Sequence, residues 1–319
     1  MPTEEPFALV RFEVVRGGVR AVSCVDGAHR SVELGPELVL LKAIRSVRLA
    51  CWLRLHGRNG RASAAVRRSA AELDALLFAP LMASFGRLRL AGSFGELPLV
   101  LVPSGALFTV PWAELPSCAG RAVSVAPSVS SWLRARQRAG RPDDGARVWI
   151  AGSGLVNAEA EVVALQTKHG GRLLIGERAT RAAVLSAMDG VALVHVAAHG
   201  RFREDRPELS SIDLADGPLY GYEVCRLSRA PRRIVLASCE SGLSVARPGE
   251  EVAGLAAGLL RTGAATVVAS VLPVPDDRAF AVASALHEKL AAGIGPARAL
   301  AAAQHGPAGQ LGFICLGAG

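Results

Sequence analysis

The chain has 319 residues, 50% hydrophobic and 20% charged, a balance that suits a folded protein of one large or two modest domains rather than a disordered or fibrous one. Of its 36 basic residues only Lys42, Lys168 and Lys289 are lysine, and this arginine bias, with abundant alanine and glycine, points to GC-rich coding; the net charge of +8 is spread without clusters or interleaved aromatics, which argues against a nucleic-acid partner. The acidic start MPTEEPFALV lacks the apolar segment of a secretory signal, and the longest charge-free run, 97–113, is broken by Pro98, Pro103, Gly105 and Pro111, so no membrane span and a cytoplasmic location are expected.

The first 140 residues open with two alternating runs, FALVRFEVV and VRAVSCV, which predict a hairpin. Two amphipathic helices are expected over 36–55 and 64–85. The first is read as core-facing through Leu38, Leu41, Ile44, Leu49, Trp52 and Leu55, the second through Leu73, Leu76, Leu77 and Leu81. LPLVLV then reads as a buried strand, followed by a Pro-Ser-Gly turn and an extended continuation to Pro111 and Trp112. The polar segment 134–147, RARQRAGRPDDGAR, is the linker candidate. It divides the chain into an α+β region, 1–140, and a second domain, 141–319.

In the second domain strand-length apolar runs alternate with helical stretches: RVWIAGSG, GRLLIG, ALVHVAAHG, RRIVLASCE, ATVVASVLPV and GFICLGA. Helices are expected over 158–169, 181–188, 250–261, 277–292 and 296–305. This is an α/β pattern, a mostly parallel six-stranded sheet with helices on both faces, and no internal repeat is visible.

Such sheets carry their chemistry outside the carboxyl ends of the strands. His199 ends one apolar run and is followed by Gly200; Cys239 ends another and is followed by Glu240, Ser241 and Gly242. Neighbouring parallel strands would deliver both side chains to one rim. There an imidazole can take the thiol proton and return it to a leaving amine, while the N–H groups of Gly200 and Cys239 face a developing oxyanion. The other cysteines, Cys24, Cys51, Cys118, Cys225 and Cys315, form no C-x-x-C pair and most read as small buried residues, so neither a metal knuckle nor a disulfide framework is expected.

VHVAAHGRFREDRPELSSIDLADGPLYGYEV, followed by IVLASCESGLSVARPGEEVAGLAAGLLRTGAATVVASVLPV, resembles the CHAT family. These are caspase-like domains often found with TPR repeats, in the clan of caspases, separases and gingipains. The matching marks are the His-Gly turn, Ala215-Asp216-Gly217, Ser238-Cys239-Glu240-Ser241-Gly242, Gly249-Glu250 and the Val-Val-Ala-Ser strand. LDALLFAPLMASFGRLRL, LVLVPSGALFTVPWAEL and VSVAPSVSSWLRAR look like the N-terminal half of the same domain, so the likeness covers roughly 65–319. Departures are Ala237 before Ser238, where the family often has Ser-Ala before Cys, and Leu272-Pro273-Val274 in place of Leu-Trp-Pro-Val.

The resemblance implies a caspase-like fold and a cysteine endopeptidase with a His199–Cys239 dyad, needing no metal or other cofactor. Its substrate would be a protein, in a bacterial regulatory or defence pathway, with a separate sensor or activator docking on residues 1–60. Asp276 and Asp277, at the same rim, are read as N-caps of the following helix or as a pocket for a basic residue before the scissile bond; Glu159 and Glu161 are further candidates for that pocket. His195 lies deeper on the face of His199 and is read as structural, Asp216-Gly217 as a tight turn, Glu240 as structural, and His29, His56, His169, His287 and His305 as surface or packing residues. The competing readings are a non-catalytic caspase-like scaffold, against which the presence of both His199 and Cys239 argues, and a nucleotide-binding domain. AGSGLVNAEAE has only two of the glycines that the last would need.

Overall fold

Two residue pairs ending in glycine fold the start of the chain. Arg16-Gly17 (φ 52° and 77°) and Asp26-Gly27 (φ 47° and 78°) have positive φ at both positions, the type I′ geometry whose twist suits a two-residue hairpin. They join β1 (Ala8–Val15), β2 (Gly18–Val25) and β3 (Ala28–Pro36) into an antiparallel meander. The third strand is missing from the sequence expectation because AHRSVELGP carries charge and little apolar weight, as an edge strand should. The structure is a computed structural model and describes residues 6–57, 61–85, 94–141, 145–201, 203, 206–237, 255–306 and 309–319.

Helices α1 (Glu37–His56) and α2 (Arg61–Phe85) pack on each other and on this meander. The face of α1 differs from the expected one. It buries Leu40, Ala43, Ile44, Val47, Ala50, Cys51 and Leu55, whereas Leu38, Leu49 and Trp52 point outward. Apolar residues occur all around this helix, so periodicity does not choose a side. The small side chains Ala43 and Ala50 let one face approach the sheet closely, and packing decides.

β4 (Leu99–Val102) is wholly buried and parallel to β1. The extended continuation expected after it is instead a pair of short 3-10 turns, Gly105–Thr109 and Trp112–Glu114. β5 (Val123–Val125) follows, and then α3 (Val129–Ala139), capped by Ser128, whose hydroxyl accepts the Ser131 N–H. The start of the expected linker is thus helix, since RARQRA is rich in helix formers.

In the second half the six expected strands form: β6 (Arg147–Ala151), β7 (Arg172–Leu174), β8 (Leu193–Ala197), and, after a small three-stranded sheet of β9 (Gly200–Arg201), β10 (Ser211–Leu214) and β11 (Gly217–Tyr220), the strands β12 (Arg233–Leu236), β13 (Thr266–Ser270) and β14 (Phe313–Gly317). The helices are α4 (Ala158–His169), α5 (Arg181–Met188), α6 (Gly221–Val224), α7 (Leu255–Thr262), α8 (Asp276–Ala291) and α9 (Pro296–Gln304). Of the expected helix 250–261, the part before 255 lies outside the described residues. Asp216 sits in the β10–β11 turn as expected, and its carboxylate accepts the Arg181 N–H at the start of α5.

All the larger strands belong to one sheet, in the order β3-β2-β1-β4-β5-β14-β13-β12-β8-β6-β7. From β13 to β7 every neighbour is parallel, and β14 runs antiparallel to β13 but parallel to β5. The β5–β14 pair therefore joins the strands of 1–140 to those of 141–319. Two arginines of α1 span the same joint. Arg48 donates to Thr109 O and Val271 O, each at 2.8 Å, and Arg54 pairs with the buried Glu114 and donates to Gln310 O at 2.6 Å.

Candidate active site

β8 is buried along its length, and the chain emerges at its carboxyl end, where His199 is exposed. Its backbone is held by the small sheet: Asp213 N–H donates to His199 O at 2.9 Å. Hydrogen bonds in an antiparallel ladder fall at every second residue pair, so the next pair, Gly200 with Ile212, turns its amides away from the partner strand. The N–H of Gly200 thus faces away from β10. Asp213 also binds Arg201 through its carboxylate at 2.8 Å.

The His199 ring is held by the loop after β6. Its Nε2 lies 3.3 Å from Gly154 O, and since a carbonyl only accepts, Nε2 is the donor, which leaves Nδ1 outside this bond. The loop is wedged in place. A Cβ on Gly152 would stand 2.3 Å from Asp213 O and 2.5 Å from Ala198 Cβ, so only glycine fits, and Ser153 binds β10 through both its N–H and its hydroxyl.

Beside β8 runs β12, in register: Leu236 pairs with Val196, and the ladder extends one residue further, Ala237 N–H donating to Val196 O at 2.9 Å. Cys239, with Ser238, Glu240 and Gly249-Glu250, lies outside the described residues.

Asp276 and Asp277 form the first turn of α8, where carboxylates favour the positive end of the helix. They do not cap it: Pro275 holds the N-cap position, one residue earlier than expected. Asp277 is exposed, whereas Asp276 is half-buried against a cleft lined by Leu155, Ala198, Ala237, Val274 and Phe313. Burial, the largest cause, pushes the Asp276 carboxyl above its ordinary value; the neighbouring His199 works against this, while Glu161 and Asp277 add to it. Glu159 is exposed beside Gly176. Glu161 turns inward instead of into the cleft, its carboxylate 2.9 Å from Nε2 of the fully buried His195.

Cys51, Cys118 and Cys315 are buried, as expected for small apolar residues; burial pushes the thiols of Cys51 and Cys315 up to about 12 and that of Cys118 higher still. Cys24 and Cys225 are partly exposed. Among the described residues no group of three His, Cys, Asp or Glu could hold a metal ion, and no helix is long and apolar enough to cross a membrane. A cavity of about 400 Å³ lies at the opposite rim of the sheet, lined by Trp132, Arg136, Ile294 and Arg298.

The family model described as CHAT domain matches residues 67–309. The chain belongs to the CHAT domain family. Among solved structures this CHAT chain resembles Saccharomyces cerevisiae separase, crystallised with securin, with a TM-score of 0.67 and 11% identity over 98% of the chain. It also resembles gingipain R, described as an Arg-specific cysteine proteinase, with a TM-score of 0.51 and 12% identity over 87% of the chain. The CHAT chain spans 30% of the length of the separase chain and 75% of that of gingipain R. These likenesses show the fold, that of the caspase-like cysteine peptidases. No curated protein matches the sequence closely enough to count as a relative.

Proposed function

We propose that the chain is a cysteine endopeptidase that cuts a protein partner, with Cys239 as nucleophile and His199 as the general base and acid. The observation that carries this reading is the β8–β12 register: Leu236 stands opposite Val196, and Cys239 follows the one by as many residues as His199 follows the other. A ring whose Nε2 is spent on Gly154 O has only Nδ1 with which to take the thiol proton. In the reaction, the Cys239 proton passes to Nδ1 and the thiolate attacks the scissile carbonyl carbon. The oxyanion is met by the N–H groups of Gly200 and Cys239, the tetrahedral intermediate collapses, and the departing amine takes the proton back. Water then hydrolyses the thioester.

For specificity, Asp276 is the carboxylate best supported as the acceptor of a basic side chain, since it is half-buried at the cleft beside His199, while Asp277 and Glu159 are exposed. Gingipain R carries the description Arg-specific, and the same preference is proposed here for Arg or Lys before the cut. A protein sensor or activator is placed on the exposed face of α1. The setting proposed, on the family resemblance, is cytoplasmic, in a bacterial regulatory or defence pathway.

The test incubates the full chain and its Cys239→Ala variant with candidate partner proteins encoded nearby. Cleavage by the unmodified protein alone, at sites that sequencing shows to follow Arg or Lys, is expected. Equal behaviour of the two proteins would replace the peptidase with a caspase-like scaffold, and cuts after other residues would remove Asp276 from the pocket.

A further inference from the structure

Behind His199 runs a line of buried polar side chains that the proposed chemistry does not use. Glu161, His195 and His287 are exposed to only 4%, 0% and 2%. Three titratable groups at such depth persist only if they satisfy one another. Glu161 Oε1 lies 2.9 Å from His195 Nε2, and His195 Nδ1 lies 3.0 Å from His287 Nε2. A carboxylate only accepts, so His195 carries its proton on Nε2 and offers Nδ1 to the Nε2–H of His287. The chain of hydrogen bonds has one direction. Trp149 packs edge-on against His287, ring centroids 4.9 Å apart, and is itself held by its indole N–H on Gly170 O at 2.6 Å.

The three residues come from three elements, and each element leads to the His199 side of the sheet: to the Gly154 carbonyl at the ring, to His199 itself, and to Asp276, whose carboxyl feels His199. Glu161 stands in the first turn of α4, directly after the loop that carries Gly154. His195 is in the middle of β8, which delivers His199 itself. His287 is on α8, which begins at Asp276. Bonding these elements behind the site fixes the distance between the Gly154 carbonyl and the ring in front of it.

We propose that Glu161, His195 and His287 are positioning residues, a buried clamp on α4, β8 and α8 that keeps Gly154 O against His199 and so locks the ring in its Nε2–H tautomer with Nδ1 free. The inference rests on the reading of His199 as the dyad imidazole. The charged and titratable groups around the clamp are Asp276 and Glu288 from α8, Lys168 and His169 from α4, and Arg147 from β6. Burial, with the positive neighbours, holds His287 neutral, in keeping with its role as a single-proton donor.

The experiment uses the full chain and its Glu161→Gln, His195→Gln and His287→Phe variants, with two readouts. Nitrogen-15 NMR of the His199 ring reads the tautomer directly, without any need for activity. The pH profile of Cys239 alkylation by iodoacetamide reads the dyad. The unmodified protein is expected to show a fixed Nε2–H ring. In Glu161→Gln the two ring nitrogens should move towards the averaged shifts of free imidazole, and alkylation at neutral pH should slow by roughly tenfold, the equivalent of one pKa unit.

His287→Phe keeps the ring volume and strands no carboxylate, so it carries the test if Glu161→Gln does not fold; it should shift both readouts less, in the same direction. Ring signals and alkylation profiles that superimpose on those of the unmodified protein in folded variants would overturn the clamp. If Cys239 in the unmodified protein reacts no faster than Cys24 and Cys225, the dyad reading fails, and the ring signals still decide the clamp.

Discussion

His287 is buried with one ring nitrogen bonded and the other, Nδ1, without a hydrogen-bond partner among the described residues. Desolvation, with the neighbouring His195, His169 and Arg147, holds its pKa well below the ordinary 6.5. The sign of the consequence follows. Between that lowered value and about 6.5 the unfolded chain binds a proton that the folded protein does not, so stability falls as pH drops through this window, by up to about 1.4 kcal/mol per pH unit for one group. Urea unfolding across this range should show the loss, and His287→Phe should flatten it; an unchanged slope would assign the acid sensitivity elsewhere. At this scale the strand end that delivers His199 is legible in the sequence, because an apolar run that breaks at a histidine and a glycine marks the end of a strand. The carbonyl of Gly154 is not, because a backbone oxygen from a loop 45 residues away has no side-chain signature. Nor is the pairing of Glu161 with His195 and His287, since each is unremarkable in its own segment and only the packing of two helices on one strand brings them together.

At the scale of the element, α1 separates two kinds of apolar residue. Leu40 and Val47 are buried at 2% and 0%, whereas Leu38, Leu49 and Trp52 are exposed at 65%, 59% and 45% and share their face with Lys42, Arg45 and His56. Leu40→Ala should therefore cost about 2–5 kcal/mol. Leu49→Glu with Trp52→Glu should change stability by only about 0.5 kcal/mol, since surface positions contribute little to folding. An exposed apolar face set among positive charges suits an acidic, amphipathic partner surface. Loss of candidate-partner binding in the double variant, at an unchanged melting temperature, is the expected result, and retained binding would move the docking surface elsewhere. The rotation of this face was not legible in the sequence because apolar side chains surround α1, whereas helices α4 and α5, flanked by clear breaks, appear at their expected bounds.

At the scale of the whole molecule, the segment 134–147 divides the chain by composition while the sheet runs across it without interruption. The β5–β14 pair, the reach of Arg48 from α1 to Val271 O and that of Arg54 to Gln310 O tie the two blocks of strands together. A fragment of residues 141–319 expressed alone would leave the β14 edge unpaired and the apolar Leu316 face open. It is expected to aggregate or stay unfolded, and the full chain to unfold in a single calorimetric transition. Two separate transitions would show independent units.

By itself the sequence determined the class of fold, the six strands of the second half, the strand end that delivers His199, and the membership in the CHAT domain family that the family model shows. These are local matters, because periodicity, turn glycines and short motifs act within a few residues. Tertiary structure alone decided which face of α1 is buried, that both halves share one sheet, and that a carbonyl, a carboxylate and two imidazoles from distant segments stand around and behind His199. Those depend on close packing between elements far apart in the chain, where volume and hydrogen-bond geometry choose among arrangements that local preference leaves open.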